Sequence, residues 1–204
     1  MTTRFVLATA NADKRAEIES VLRDAGVPIE LEGLDPAIPE IEETGATLED
    51  NARLKAVEVA TWTGSPAIAD DTGLEVDVLD GAPGVRSARF AGEDATYADN
   101  VALLLERLDG VAAERRTARF TTVAIARWPD GREVAAIGSV EGRISGEPRG
   151  AGGFGYDPVF VPDDGDGRSF AEMSPEEKHA CSHRGRAFRT LADGLRVLAE
   201  LGDC

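Results

Sequence analysis

The sequence predicts a mixed α/β fold, with one sheet of both strand directions and helices packed around it. Three observations carry that prediction. Phe5 to Ala8 is a short apolar run that passes through Thr9-Ala10-Asn11 into Ile18, Val21, Leu22 and Ala25 at i, i+3, i+4 and i+7, a strand, a polar turn and a helix. Thr117 to Trp128 and Arg132 to Ile144 are β-rich runs joined by Pro129-Asp130-Gly131, whose Asp-Gly signals a hairpin too long for a simple βαβ unit. Phe188, Leu191, Leu195 and Leu198 mark one apolar face of a C-terminal helix.

The first helix closes at Gly26, suited to the C′ position. Ile29 to Leu34 reads as a second, peripheral strand, and Asp35 to Gly45 as an acidic, proline-punctuated loop with Glu40, Glu42 and Glu43. Thr47 to Asp50 resembles a capping box and opens a helix through about Trp62, with Leu54, Val57 and Ala60 on the expected buried face. Ala67 to Ala69 reads as a short strand that stops at Asp70-Asp71-Thr72-Gly73, and Leu74 to Leu79 as a separate half-buried strand. Thr96 caps a helix carrying Val101, Leu104, Leu105 and Leu108, which ends at Gly110. Val159 to Val161 returns to strand, and Ser174-Pro175-Glu176-Glu177 starts the next helix.

At 204 residues the chain forms one generous domain, or two lobes sharing a core, and no linker separates independent domains. A formal charge of −16 argues against binding a nucleic-acid polymer or an anionic membrane. A small phosphorylated ligand stays open, because a local basic cluster or a bound divalent cation reverses the field inside a pocket. The N-terminal apolar run is too short for a secretory signal or a bilayer span, so the expected compartment is the cytoplasm. Cys181 and Cys204 support neither a disulfide framework nor a cysteine-rich zinc site.

Several stretches carry chemistry. Asp70 and Asp71 cannot both be buried as anions without a cation, although Asp-Asp-Thr-Gly also suits an ordinary polar turn. The helix start after Thr9-Ala10-Asn11 suits an anion, and Lys14 there opposes the helix dipole unless an anion joins it; a solvated lysine with Asn11 as N-cap fits equally well. Asn51 and Lys55 share a helix face, as reaching side chains or as a solvated stripe. Arg86 and Arg89 are near enough in sequence to pair with the carboxylates or a ligand. Gly150 to Pro158 is dense in glycine yet holds Phe154 and Tyr156, which could stack on a planar group. Ser182, His183 and Arg184 could hydrogen-bond the edge of a flat polar ligand, or the histidine could be an ordinary core or surface residue. His179 and His183 are four apart, but no intervening glutamate or third ligand signals zinc. Together these describe a nucleoside triphosphate site holding Mg²⁺, with no Walker or kinase signature.

Six blocks in order, Leu7 to Lys14, Glu42 to Gly45, Asn51 to Ala56, Ala69 to Leu74, Gly153 to Pro158 and Ser182 to Arg184, make the chain resemble the inosine triphosphate pyrophosphatases, also called XTP/dITP diphosphatases. The resemblance implies an elongated mixed sheet with flanking helices, two lobes around a central cleft and a homodimer. It implies Mg²⁺-dependent hydrolysis of ITP, dITP and XTP to monophosphate and pyrophosphate. By the same resemblance Asp71 is the general base and Lys55 is catalytic, while Glu42, Asp71 and Asp70 hold the metal. Thr9, Asn11, Lys14 and Lys55 engage phosphates, Ala10 binds substrate in the same turn, and Thr72 engages the substrate beside the metal. Phe154 stacks on the base near Gly155, Tyr156 and Asp157, and Lys178, His183 and Arg184 read its 6-keto edge. Ala10 stands where the family more often has glycine, and Thr72 where serine is common. Two other readings stay open: a pyrophosphatase for other modified nucleotides, such as modified pyrimidines, and a nucleotide-binding module without turnover.

Overall fold

The computed structural model describes residues 3–202. The helices start where capping chemistry places them. Asn11 accepts the Asp13 and Lys14 amides before α1 (Ala12–Asp24), and Thr47 accepts the Asp50 amide before α2 (Leu48–Thr63). Reciprocal boxes at Thr96/Asp99 and Ser174/Glu177 open α3 (Tyr97–Arg107) and α4 (Pro175–Cys181), and α5 spans His183–Gly202. Each such side chain satisfies amides that a helix start leaves without intrahelical partners.

The strands β1 (Thr3–Leu7), β2 (Ile29–Gly33), β3 (Ala67–Val76), β4 (Pro83–Gly84), β5 (Thr117–Arg127), β6 (Glu133–Ile144) and β7 (Phe160–Pro162) form one seven-stranded sheet. Its order is β2-β1-β3-β5-β6-β7, with β4 beside β3. β1 pairs parallel with β2 and β3, whereas β3 with β4 and β6 with β7 are antiparallel. The expected hairpin is present: Trp128 N donates to Arg132 O and the Thr121 and Ser139 hydroxyls lie 3.0 Å apart, both in one antiparallel register. The sheet is therefore mixed, as the long hairpin required.

The chain divides into two compact units. The first comprises residues 1–71, 122–138 and 184–204, and the second 72–121 and 139–183. In the first unit the strands bury both faces. Phe5, Leu7, Ile68, Ala124 and Ala126 pack with Ile18, Val21 and Leu22 of α1 and Phe188 and Leu191 of α5. Val6, Ala8, Ala67, Ala69, Val123 and Ile125 pack with Ala52, Ala56, Val59 and Ala60 of α2. In the second unit Leu74, Val76, Leu104, Phe120, Tyr156, Phe160 and Phe170 make one cluster. Among the described residues no helix is long and apolar enough to cross a membrane.

Three expectations are corrected. β3 runs unbroken from Ala67 to Val76, so Asp70 and Asp71 lie inside a strand rather than in a turn at its end. Residues 77–79 form a 3-10 turn instead of strand. On α2 the buried face is Asn51, Ala52, Lys55, Ala56, Val59 and Ala60, while Leu54 and Val57 are only half-buried. The alanines let the helix backbone approach the sheet closely, and Lys55 meets carboxylates there. Cys204 lies outside the described residues, and Cys181 in α4 has its Sγ 3.4 Å from the Glu177 carbonyl.

Candidate active site

Successive residues of a strand point to opposite faces, and this alternation separates the two aspartates. Asp70 shares the face of Ile68, toward α1 and α5, whereas Asp71 shares the face of Ala67 and Ala69, toward α2. Asp70, 1% exposed, lies 3.4 Å from Lys14 Nζ and 3.4 Å from Arg184. Asp71, 5% exposed, takes Lys55 Nζ on Oδ1 at 3.3 Å and the Asn51 amide on Oδ2 at 3.2 Å. Lys55 also reaches Glu43 at 2.6 Å.

The two carboxyls titrate in opposite directions. Burial disfavours the Asp70 anion, but Lys14, Arg184 and Lys55 outweigh it and hold the group well below the usual carboxylate range. Burial pushes the Asp71 carboxyl up, with Lys55 pulling it back and Glu43 adding to the rise. The Lys55 ammonium, despite burial, is raised by Asp71, Asp70 and Glu43. Asp70 is thus an ionised counter-ion, while Asp71 is a carboxylate with its basicity enhanced. Lys14 has an anion at the helix start after all, supplied by Asp70 from the chain itself.

Of the acidic loop, Glu43 is the member at Lys55, whereas Glu42 is exposed. Two carboxylates facing one ammonium are a hard-oxygen donor set. They fit Mg²⁺, which typically takes one or two protein carboxylates and completes its shell with water and phosphate oxygens. Among the described residues no group of three or more His, Cys, Asp or Glu is arranged as a metal cage. His179 and His183 do not share a helix: Ser182 leaves helical geometry at ψ 158 between them. Arg86 and Arg89 lie within 4 Å of Glu93, at 3.8 and 3.9 Å.

The remaining positions divide between the units. In the first, Asn11 N donates to Thr9 Oγ1 at 3.2 Å, which folds the phosphate-suited turn, and Ala10 is exposed at its tip. In the second, Phe154 is half-buried with Lys178 Nζ 4.9 Å from its ring centroid. Lys178 is buried against Asp157, whose carboxylate also accepts the Phe154 amide at 2.8 Å. That carboxylate occupies the space a side chain at Gly153 would need, and both Gly153 and Gly155 have positive φ. His183 stacks on Phe120 at 4.3 Å, nearly parallel. Tyr156 is buried, its hydroxyl donating to the Ser87 carbonyl at 2.9 Å, and burial pushes its ionisation up. Thr72 follows Asp71 directly, half-buried.

The structure adds residues that the sequence reading did not assign. Glu17 is buried in α1 and bonds Arg184 at 2.6 Å. Its signal was present: Lys14, Glu17 and Val21 lie three and four apart on one helix face, so an acid borders the apolar stripe. Tyr97 at the start of α3 places its ring 5.7 Å from Phe154, a contact no spacing in sequence reveals. Glu17→Ala is expected to cost about 3 kcal/mol of unfolding free energy, near the low end for breaking a buried pair because Arg184 keeps Asp70. Denaturant unfolding of Glu17→Ala, Arg184→Met and the double variant measures it, and strictly additive losses would show no coupling.

Residues 5–194 match the model of the Ham1 family. The chain is 48% identical to a dITP/XTP pyrophosphatase of Streptomyces coelicolor, over 96% of this chain and 98% of that one. It is 52% identical to a dITP/XTP pyrophosphatase of Nitratidesulfovibrio vulgaris, over 93% and 94% respectively. The solved structure of a HAM1 protein from Coxiella burnetii is similar with a TM-score of 0.85 and 40% identity, covering 98% of this chain and all of that one. With a family match across most of its length and relatives near half identity, the chain belongs to the Ham1 family.

Proposed function

We propose that the protein hydrolyses deaminated purine nucleoside triphosphates, ITP, dITP and XTP, to the monophosphate and pyrophosphate. The observation that carries this reading is the buried Asp71, raised in basicity and held between Lys55 and Asn51, in a chain whose near relatives bear the name dITP/XTP pyrophosphatase. Asp71 takes a proton from water as its oxygen attacks the α-phosphorus, and the α–β bridging bond breaks to release pyrophosphate. Lys55 and Lys14 offset the negative charge gathering on the phosphate oxygens, and Thr9, Ala10 and Asn11 bind phosphate at the start of α1. Thr72 contacts the substrate beside the base.

Glu43 and Asp71 would hold Mg²⁺, with Glu43 preferred over Glu42 because it is the acid at Lys55. That ion supplies charge neutralisation to the phosphates. In this reading Asp70, ion-paired with Lys14 and Arg184, serves as their counter-ion rather than as a metal ligand. Phe154 stacks on the purine, with Gly155, Tyr156 and Asp157 shaping that loop, and Lys178, His183 and Arg184 donate to the 6-keto oxygen. A 6-amino group would leave those donors unpaired, a penalty that can reach several powers of ten. A homodimer in the cytoplasm belongs to the same reading.

Pyrophosphate release from ITP, XTP, dITP, ATP and GTP tests it. The expected result is kcat/KM for the deaminated purines at least about 100-fold above that for ATP. Equal rates on all five overturn the specificity, and binding of ITP without turnover overturns the enzyme.

A further inference from the structure

Asn51 is fully buried, at 0% exposure, on the fourth position of α2. Asparagine is a mediocre helix former, and an amide taken out of water costs free energy unless its groups are paired. Neither helix propensity nor apolar packing favours it there. Its hydrogen bonds do: the side-chain oxygen accepts the Gly45 N–H at 2.7 Å, and the side-chain nitrogen donates to Asp71 Oδ2 at 3.2 Å. The orientation is forced, because a backbone N–H can only donate and a carboxylate can only accept. Gly45 is what lets the amide in, since a Cβ there would sit 2.6 Å from Asn51 Oδ1.

Lys55, one helical turn on, spans the same loop and strand by charge, meeting Glu43 of the acidic loop and Asp71 of β3. The two bridges differ in kind. An ammonium's hold changes when phosphate or a cation enters the site, whereas a neutral amide's bonds persist across those charge states. We propose that Asn51 is a positioning residue that ties the acidic loop at Gly45 to Asp71, holding the Asp71 carboxylate in one orientation relative to Glu43. The proposal rests on the reading of Asp71 as the base.

Three variants test it, with two readouts. Asn51→Ala removes both bonds; Asn51→Asp keeps an acceptor for Gly45 but loses the donor to Asp71; Asp71→Asn checks the underlying reading. Amide hydrogen exchange at Gly45 is followed in the protein without nucleotide, and kcat and KM are measured with ITP and Mg²⁺. The expected result for Asn51→Ala is Gly45 exchange faster by about tenfold or more and kcat lower by about tenfold or more, with KM within about threefold. Asn51→Asp is expected to leave Gly45 exchange near wild type while kcat still falls, a split that a residue serving only the loop would not produce. Unchanged Gly45 exchange in Asn51→Ala overturns the tie to the loop. Wild-type kcat in Asn51→Asp, alongside an inactive Asp71→Asn, overturns the positioning of Asp71. If Asp71→Asn itself turns over normally, the base assignment fails and the proposal fails with it, a result distinct from the other two.

Discussion

Replacing Asp71 by asparagine is expected to lower kcat for ITP by about 10² to 10⁴-fold, the usual worth of a positioned general base, with nucleotide affinity largely retained. The substitution is close to isosteric, so what changes is basicity and one acceptor. Asp71 presents an oxygen to Lys55 at 3.3 Å and another to Asn51 at 3.2 Å, both donors. An amide at position 71 satisfies one of them and turns an N–H₂ toward the other, so the ground-state cluster loosens locally while the fold persists. Lys55 keeps Glu43 at 2.6 Å as its counter-ion, which limits the stability cost. Single-turnover hydrolysis of ITP, beside calorimetric binding of a non-hydrolysable analogue, separates the chemical step from binding. A near-wild-type rate removes Asp71 from the base role.

The aspartates also show what the sequence could and could not reveal. Helix starts at Asn11, Thr47, Thr96 and Ser174 were legible because capping is local chemistry, and the hairpin because its turn and alternation are local as well. The unbroken β3 was not. Two adjacent carboxylates signal a turn on their own, and only cations from α1, α2 and α5 make them affordable within a strand. The same long-range pairing turned the Asn51/Lys55 stripe inward, against an apolar pattern that placed Leu54 and Val57 in the core. Composition-level charge could not show this either, since the cluster is nearly balanced internally. For the candidate site, the residue types were readable from motifs, but Glu17, Glu43 and Tyr97 owe their contacts to tertiary approach.

Asp70 should behave as the opposite of its neighbour. Asp70→Asn is expected to destabilise the protein by about 3 to 5 kcal/mol, the range for removing one member of a buried charged cluster, which corresponds to a fall in Tm of roughly 10 °C for a chain of this size. Removing the carboxylate takes from Lys14 its ion pair at 3.4 Å and from Arg184 the one it makes with Asp70, while the Arg184 pair with Glu17 stays. The pH dependence identifies the cause. A carboxyl whose folded pKa is depressed stabilises the fold fully above its ordinary value, about 4, and that stability is lost as pH falls toward the lower folded value. The gap between wild type and Asp70→Asn should therefore be constant from about pH 5 to 7 and narrow progressively below about pH 4. Urea unfolding of both proteins across that range measures it. A gap that stays the same at pH 3, or is absent at pH 7, shows that Asp70 is not the counter-ion of Lys14 and Arg184. A gap that narrows as described assigns the adjacent carboxylates separate work, Asp70 neutralising cations toward α1 and α5 so that Asp71, facing α2, remains available to water.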